Sequence, residues 1–165
     1  MLLPHHALVL VAVLTAASPS PSPSPSDTGP ASPCATAVRK QKAPVEAFVV
    51  AAPVRARDTT VRADVCVVSK AAKVGSYHGE LHFDSTSARV THVEKAPGGL
   101  RVENTKLPGR VNFAGAAPDG FASGALLRVT LRLTKAGAQP KLRLMMIELN
   151  ATDGHSLMNQ LVTSP

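Results

Sequence analysis

Tryptophan is absent from this 165-residue chain, tyrosine occurs once and phenylalanine four times, so aromatics make up only 3% of it. Glycan-binding faces and single-strand nucleic-acid platforms work by stacking on exposed rings, and the few rings here must also serve a core. Composition therefore argues against both roles. Cysteine is also scarce: the two present, Cys34 and Cys66, match no zinc spacing, and no further thiol could complete a tetrahedral site. Catalytic signatures are missing too. There is no nucleophile elbow or Gly-rich oxyanion loop beside Ser76 and Ser85, and Gly98-Gly99 lacks the Lys-Ser/Thr and following helix of a phosphate cradle. Glu80 and Asp84 could be imagined as a glycosidase dyad, but no aromatic subsites accompany them. The chain reads as non-enzymatic, with no cofactor implied, and it is too short for a multi-domain enzyme.

Long apolar runs are lacking as well. The run from Ala7 to Leu14 is too short to span a bilayer, and the small residues Thr15, Ala16 and Ala17 follow it, as at a signal-peptidase site. Residues 1–17 are therefore expected to be a signal peptide, although no Lys or Arg opens it, and no Cys follows for lipidation. An uncleaved anchor is the alternative. Ser and Pro alternate from Ser18 to Ser26, which forbids helix and sheet ladders and favours an extended spacer, so residues 18–44 read as a linker. Export makes Cys34 and Cys66 a plausible disulfide pair, with two unpaired thiols as the alternative. The expected address is secreted or cell-surface, with no membrane span after cleavage.

What is plentiful is positive charge and short β-patterned segments. Eighteen basic residues against eleven acidic ones give a net charge of +7. Arg39, Lys40, Lys42, Arg55, Arg57 and Arg62 could adhere to anionic wall polymers, lipid headgroups or acidic polysaccharides through salt-sensitive attraction, or could simply be solvated. Nucleic acid is not expected, because no recognition motif is present. Residues 45–165 read as one all-β domain. Val61 to Val68, His78 to Phe83, Arg110 to Ala114, Leu126 to Leu133 and Leu142 to Ile147 are strand-like. Turn-formers lie at Lys73 to Ser76, Ala96 to Gly99, Pro108-Gly109, Pro118-Asp119-Gly120 and Asp153-Gly154. Leu127, Val129, Leu131 and Leu133 fall on one face of their strand, with Arg128, Thr130 and Arg132 on the other, so this strand is half-buried with a basic outer face. Neither an internal repeat nor a heptad pattern is present. Asn150-Ala151-Thr152 is a glycosylation sequon in a eukaryotic secretory route and otherwise a turn beside Asp153-Gly154.

Five pieces of sequence, in order, carry a resemblance. Asp58-Thr59-Thr60-Val61-Arg62-Ala63-Asp64-Val65 opens it. Val74-Gly75-Ser76-Tyr77-His78-Gly79-Glu80-Leu81-His82-Phe83-Asp84 with Ala88-Arg89-Val90-Thr91-His92-Val93 follows. Gly109-Arg110-Val111-Asn112-Phe113-Ala114-Gly115, then Gly124 to Leu133, then Leu142 to Leu161 complete it. The set resembles the strand signatures of cohesin domains. Ser85 stands where Pro is usual, Ala88 where Leu is usual, and Arg57 where Gly is usual, which implies a slimmer core on one side. The resemblance implies a jelly-roll β-sandwich of about nine strands that binds rather than catalyses. In cellulosome scaffolds such domains bind a calcium-loaded dockerin, so an extracellular, dockerin-like protein is the expected partner. A carbohydrate-binding module of related fold, or a structural spacer at the cell surface, are the alternatives.

The most distinctive local pattern is His78-x-Glu80-x-His82-x-Asp84. On a strand, these four side chains share one face at steps of about 7 Å while Gly79, Leu81 and Phe83 face inward. A metal site would need further ligands from a neighbouring strand. The other readings are a solvated polar face and a partner-binding face, the latter because this strand contributes to the dockerin face in the cohesins. The resemblance sets Arg110 and Asn112 on the adjacent strand, making a flat polar surface suited to a protein more than to a small substrate. Phe83, Phe113 and Phe121 are expected inside, leaving Tyr77 as the exposed ring.

Overall fold

In the computed structural model, Cys34, residues 42–94 and residues 100–164 are described. The expected signal peptide, most of the expected linker and the expected Ala96 to Gly99 turn lie outside these residues. Nine strands are found among them: β1 (Val45–Ala51), β2 (Thr60–Ser69), β3 (Val74–Phe83), β4 (Ala88–Glu94), β5 (Leu100–Asn104), β6 (Arg110–Phe121), β7 (Ser123–Leu133), β8 (Leu142–Ala151) and β9 (Leu161–Ser164). They form two packed sheets, ordered β4-β7-β2-β1-β9 and β5-β6-β3-β8. The expected all-β sandwich is the observed fold.

Alternation drives the packing. Leu127, Val129, Leu131 and Leu133 of β7 meet Val61, Ala63 and Val65 of β2 inside, and Leu81, Val111, Phe113, Leu144 and Leu149 cover them from the second sheet. Each such side chain withdrawn from water contributes about 1.5–3 kcal/mol. Leu126 is also fully buried, against the alternation, because the β2–β7 register shifts between Val65 and Cys66 and leaves Leu126 as the extra residue of a bulge.

Two expected turns are corrected. Val74 to Ser76 already belong to β3, so the bend there lies at Lys70 to Ala72. Ser69 explains it: its hydroxyl donates to the Ala72 carbonyl at 2.7 Å and closes the bend one step earlier. Pro118-Asp119-Gly120 does not end a strand. It sits inside β6 as an irregularity opposite Gly75, where the β3 partners jump from Phe121 to Ala116. Gly120 makes this possible with φ +61, a value that a side chain rarely tolerates. Asp153-Gly154 is a turn as expected, with the Gly154 N–H donating to Ala151 O at 3.0 Å.

Tyr77 is corrected too: it is 7% exposed and part of the core. Its position shares the parity of Gly79 and Leu81, and its ring occupies the space left by Gly115, where an added Cβ would lie 2.3 Å from Tyr77 Cζ. The ring packs 6.2 Å from Phe113 and edge-on 6.3 Å from Phe121, and its hydroxyl reaches Leu126 O at 3.4 Å. Cys34 and Cys66 form a disulfide with a Cα–Cα separation of 5.3 Å, and both are buried.

Candidate functional site

The β5-β6-β3-β8 sheet turns one face to the core and the other to solvent. Antiparallel pairing sets Glu80 of β3 opposite Asn112 of β6 and Met145 of β8, and His82 opposite Arg110 and Arg143. His78 faces Ala114 and Glu148 in the same way. Register thus brings five of the six expected residues onto one outer face.

Glu80 is the hub. The residue is only 7% exposed, and its carboxylate accepts from His82 Nε2 at 2.7 Å and from Arg110 Nη1 at 3.3 Å. A carboxylate withdrawn this far from water requires such charged or hydrogen-bonding donors. Beside it, the buried Oδ1 of Asn112 has no hydrogen-bond partner. The His78 side chain makes no hydrogen bond or ion pair among the described residues. Asp84 does not join the row. It stands one residue past β3, where it accepts from the Thr86 N–H at 2.8 Å and the Thr86 hydroxyl at 2.7 Å. Those two bonds hold its carboxyl below the ordinary aspartate range and commit it to the turn. The polar cluster therefore joins one contact along β3, His82 with Glu80, to one across the sheet from Arg110 of β6. No group of three or more His, Cys, Asp or Glu among the described residues is placed to hold a metal ion.

Apolar side chains flank this cluster, and the sequence did not single them out for the site. On β5, Leu100 is 80% and Val102 73% exposed, opposite Ala116 and Ala114 of β6. On β8, Met145 and Ile147 are exposed as well. Both of these can face outward with Glu148 also exposed because β8 carries an extra residue between the partners of His78 and Gly79. Alternation in Leu100-Arg101-Val102 was the one available signal, since Arg101 is the member of that run turned inward, its guanidinium bonded to Glu94 O and near Glu103 Oε2 at 3.4 Å. Asn150, the sequon residue, also belongs to this face, donating to Ser76 Oγ at 3.2 Å and Glu148 Oε1 at 2.5 Å. What results is a broad face on which an ion-paired cluster lies between exposed apolar side chains, and grouped exposed apolar residues mark a contact surface.

No family model and no curated protein matches the sequence. Solved structures do. A non-cellulosomal cohesin from the archaeon Archaeoglobus fulgidus superposes with a TM-score of 0.61 at 22% identity, covering 73% of this chain and 86% of that one. A type II cohesin from the cellulosome of Acetivibrio cellulolyticus gives 0.59 at 11% identity, over 73% and 92% of the two chains. A type I cohesin–dockerin complex from Clostridium thermocellum gives 0.55 at 15% identity, over 75% and 92%. The ordered strand motifs and these superpositions agree on one architecture, and the chain has the cohesin fold.

Proposed function

We propose that this domain is a non-catalytic binding module, exported to the cell surface or medium, that docks a second protein on the outer face of β5-β6-β3-β8. The observation that carries the reading is the solvent exposure of Leu100, Val102, Met145 and Ile147 around the Glu80–Arg110–His82 cluster. Apolar margins supply affinity on burial, and the paired charges set register and reject mismatched partners. His78, Arg110 and Asn112 contribute polar contacts there, and Asp84 supports the adjoining turn. A dockerin is the favoured partner class, since several solved proteins of this fold are held in complexes with dockerins. Burial of the only tyrosine disfavours glycan recognition by stacking. The Cys34–Cys66 disulfide agrees with an oxidising, extracellular setting.

The test is calorimetric titration of the full chain with calcium-loaded type I and type II dockerins, repeated after chelation. Binding that disappears with calcium removal, and that Val102→Asp and Met145→Asp each weaken at least about tenfold by burying a charge, is expected. Silence across the panel, or unchanged affinity in folded variants, refutes the assignment.

A further inference from the structure

The opposite sheet carries a second surface of different chemistry. Register across β2, β7 and β4 places its outward residues in rows: Thr60, Arg132 and Arg89; then Arg62, Thr130 and His92; then Asp64, Arg128 and Glu94. The two carboxylates are both in the last row and are taken up by two of the arginines. Asp64 holds Arg128 at 2.8 Å and 3.1 Å, and Glu94 holds Arg62 at 3.0 Å and Arg128 at 3.4 Å. Arg89 and Arg132 are exposed, stand directly opposite each other, and have no carboxylate within ion-pair distance among the described residues. Like charges set opposite each other across a strand pair cost stability. The sheet nevertheless presents them side by side, with the hydroxyl of Thr60 in the same row.

We propose that this row, Arg89 and Arg132 with Thr60, and Arg62 and His92 behind them, is a binding surface for an acidic glycan. Guanidinium groups match carboxylates and sulfates with paired N–H donors, and threonine hydroxyls can bond sugar hydroxyls. Two observations choose this ligand over other polyanions. None of the exposed large apolar side chains lies on β2, β4 or β7, so the face has nothing to insert into a lipid bilayer. No Phe, Tyr or Trp stands in its rows as a broad platform on which successive nucleobases could stack. Among the described residues, Arg89 and Arg132 stand exposed to solvent. The disulfide ties Cys34 to Cys66, six residues along β2 from Thr60 and therefore about 20 Å away.

The experiment titrates the full chain with polygalacturonate and heparin fragments, with neutral dextran, phosphatidylserine vesicles and single-stranded DNA as comparison arms. Both acidic glycans should bind, with affinity falling as salt rises, and dextran should not. Each arginine facing an anionic surface contributes about fivefold, so the Arg89→Gln/Arg132→Gln variant should bind about 25-fold more weakly. Arg143→Gln, on the other sheet, should bind as the parent does. Thermal melting should show the double variant no less stable, since a repulsion has been removed. Unchanged glycan affinity in the folded double variant overturns the site, and vesicles or DNA binding as tightly as the glycans through the same arginines overturns the ligand. Neither result bears on dockerin binding, which uses the other face.

Discussion

Asp64 gives the sharpest test of how the outer face of the β4-β7-β2 sheet is held. Its side chain is 2% exposed, and Arg128 grips it through two nitrogens at 2.8 Å and 3.1 Å, with Arg62 Nε at 3.9 Å. Asp64→Ala removes two charge-assisted hydrogen bonds, each about 1.5–3 kcal/mol. It also strands a guanidinium that is itself only 23% exposed. Loss of one partner from a buried pair costs about 3–5 kcal/mol. Because Glu94 still reaches Arg128 at 3.4 Å, the expectation is the lower end, about 3 kcal/mol. In urea, with a slope of about 1–3 kcal/mol per molar, the midpoint should fall by about 1–3 M with no change of slope. Asp64→Ala/Arg128→Met should recover part of the loss, since no charge is then left unpaired. A midpoint within about 0.3 M of the parent, or strictly additive effects in the double variant, would show that the pair is not a stability element.

Alkali offers another reading of the core. Burial raises the Tyr77 phenol above its ordinary value. The phenolate is therefore disfavoured in the fold, so stability is constant below about pH 10 and declines as pH rises past it, while the unfolded chain ionises first. As the only tyrosine, Tyr77 alone gives the tyrosinate absorbance. That signal should appear with unfolding, and a titration at the ordinary value in the folded protein would contradict the burial. The disulfide closes a separation of 32 residues, for which chain entropy predicts about 3.5 kcal/mol of stabilisation. Replacing both cysteines by alanine should lower the melting temperature by roughly 10–15 °C, and coincident melts would count against this account.

Strand interiors were legible in the sequence wherever alternation was clean, as in Leu127 to Leu133 of β7. Reading failed where a register shift or a glycine altered the count. Leu126 is buried by a bulge, and Pro118-Asp119-Gly120 remains inside β6 because Gly120 absorbs the bend. The Tyr77 expectation failed for another reason: composition left one ring over, while parity with Leu81 already placed it inside. Within the candidate site, the polar row on β3 was visible as a period-two pattern, and the family resemblance supplied Arg110 and Asn112. Asp84 lies just outside because the strand ends at Phe83. Met145 and Ile147 could not be assigned to the surface from sequence, since isolated apolar residues in strands read equally well as core, and for Leu100 and Val102 the alternation with Arg101 was the one cue.

The parallel pairing of β9 with β1, from Val45 with Leu161 to Phe48 with Ser164, has a consequence for synthesis. Of the nine strands, the one that flanks β1 at the sheet edge is made after all the others, so until it arrives β1 presents a bare row of backbone donors and acceptors. Such an edge is a template for adding a foreign strand. A chain cut short before Leu161 would keep nearly all of its core and still carry that open edge permanently, making premature termination a route to aggregation rather than to unfolding.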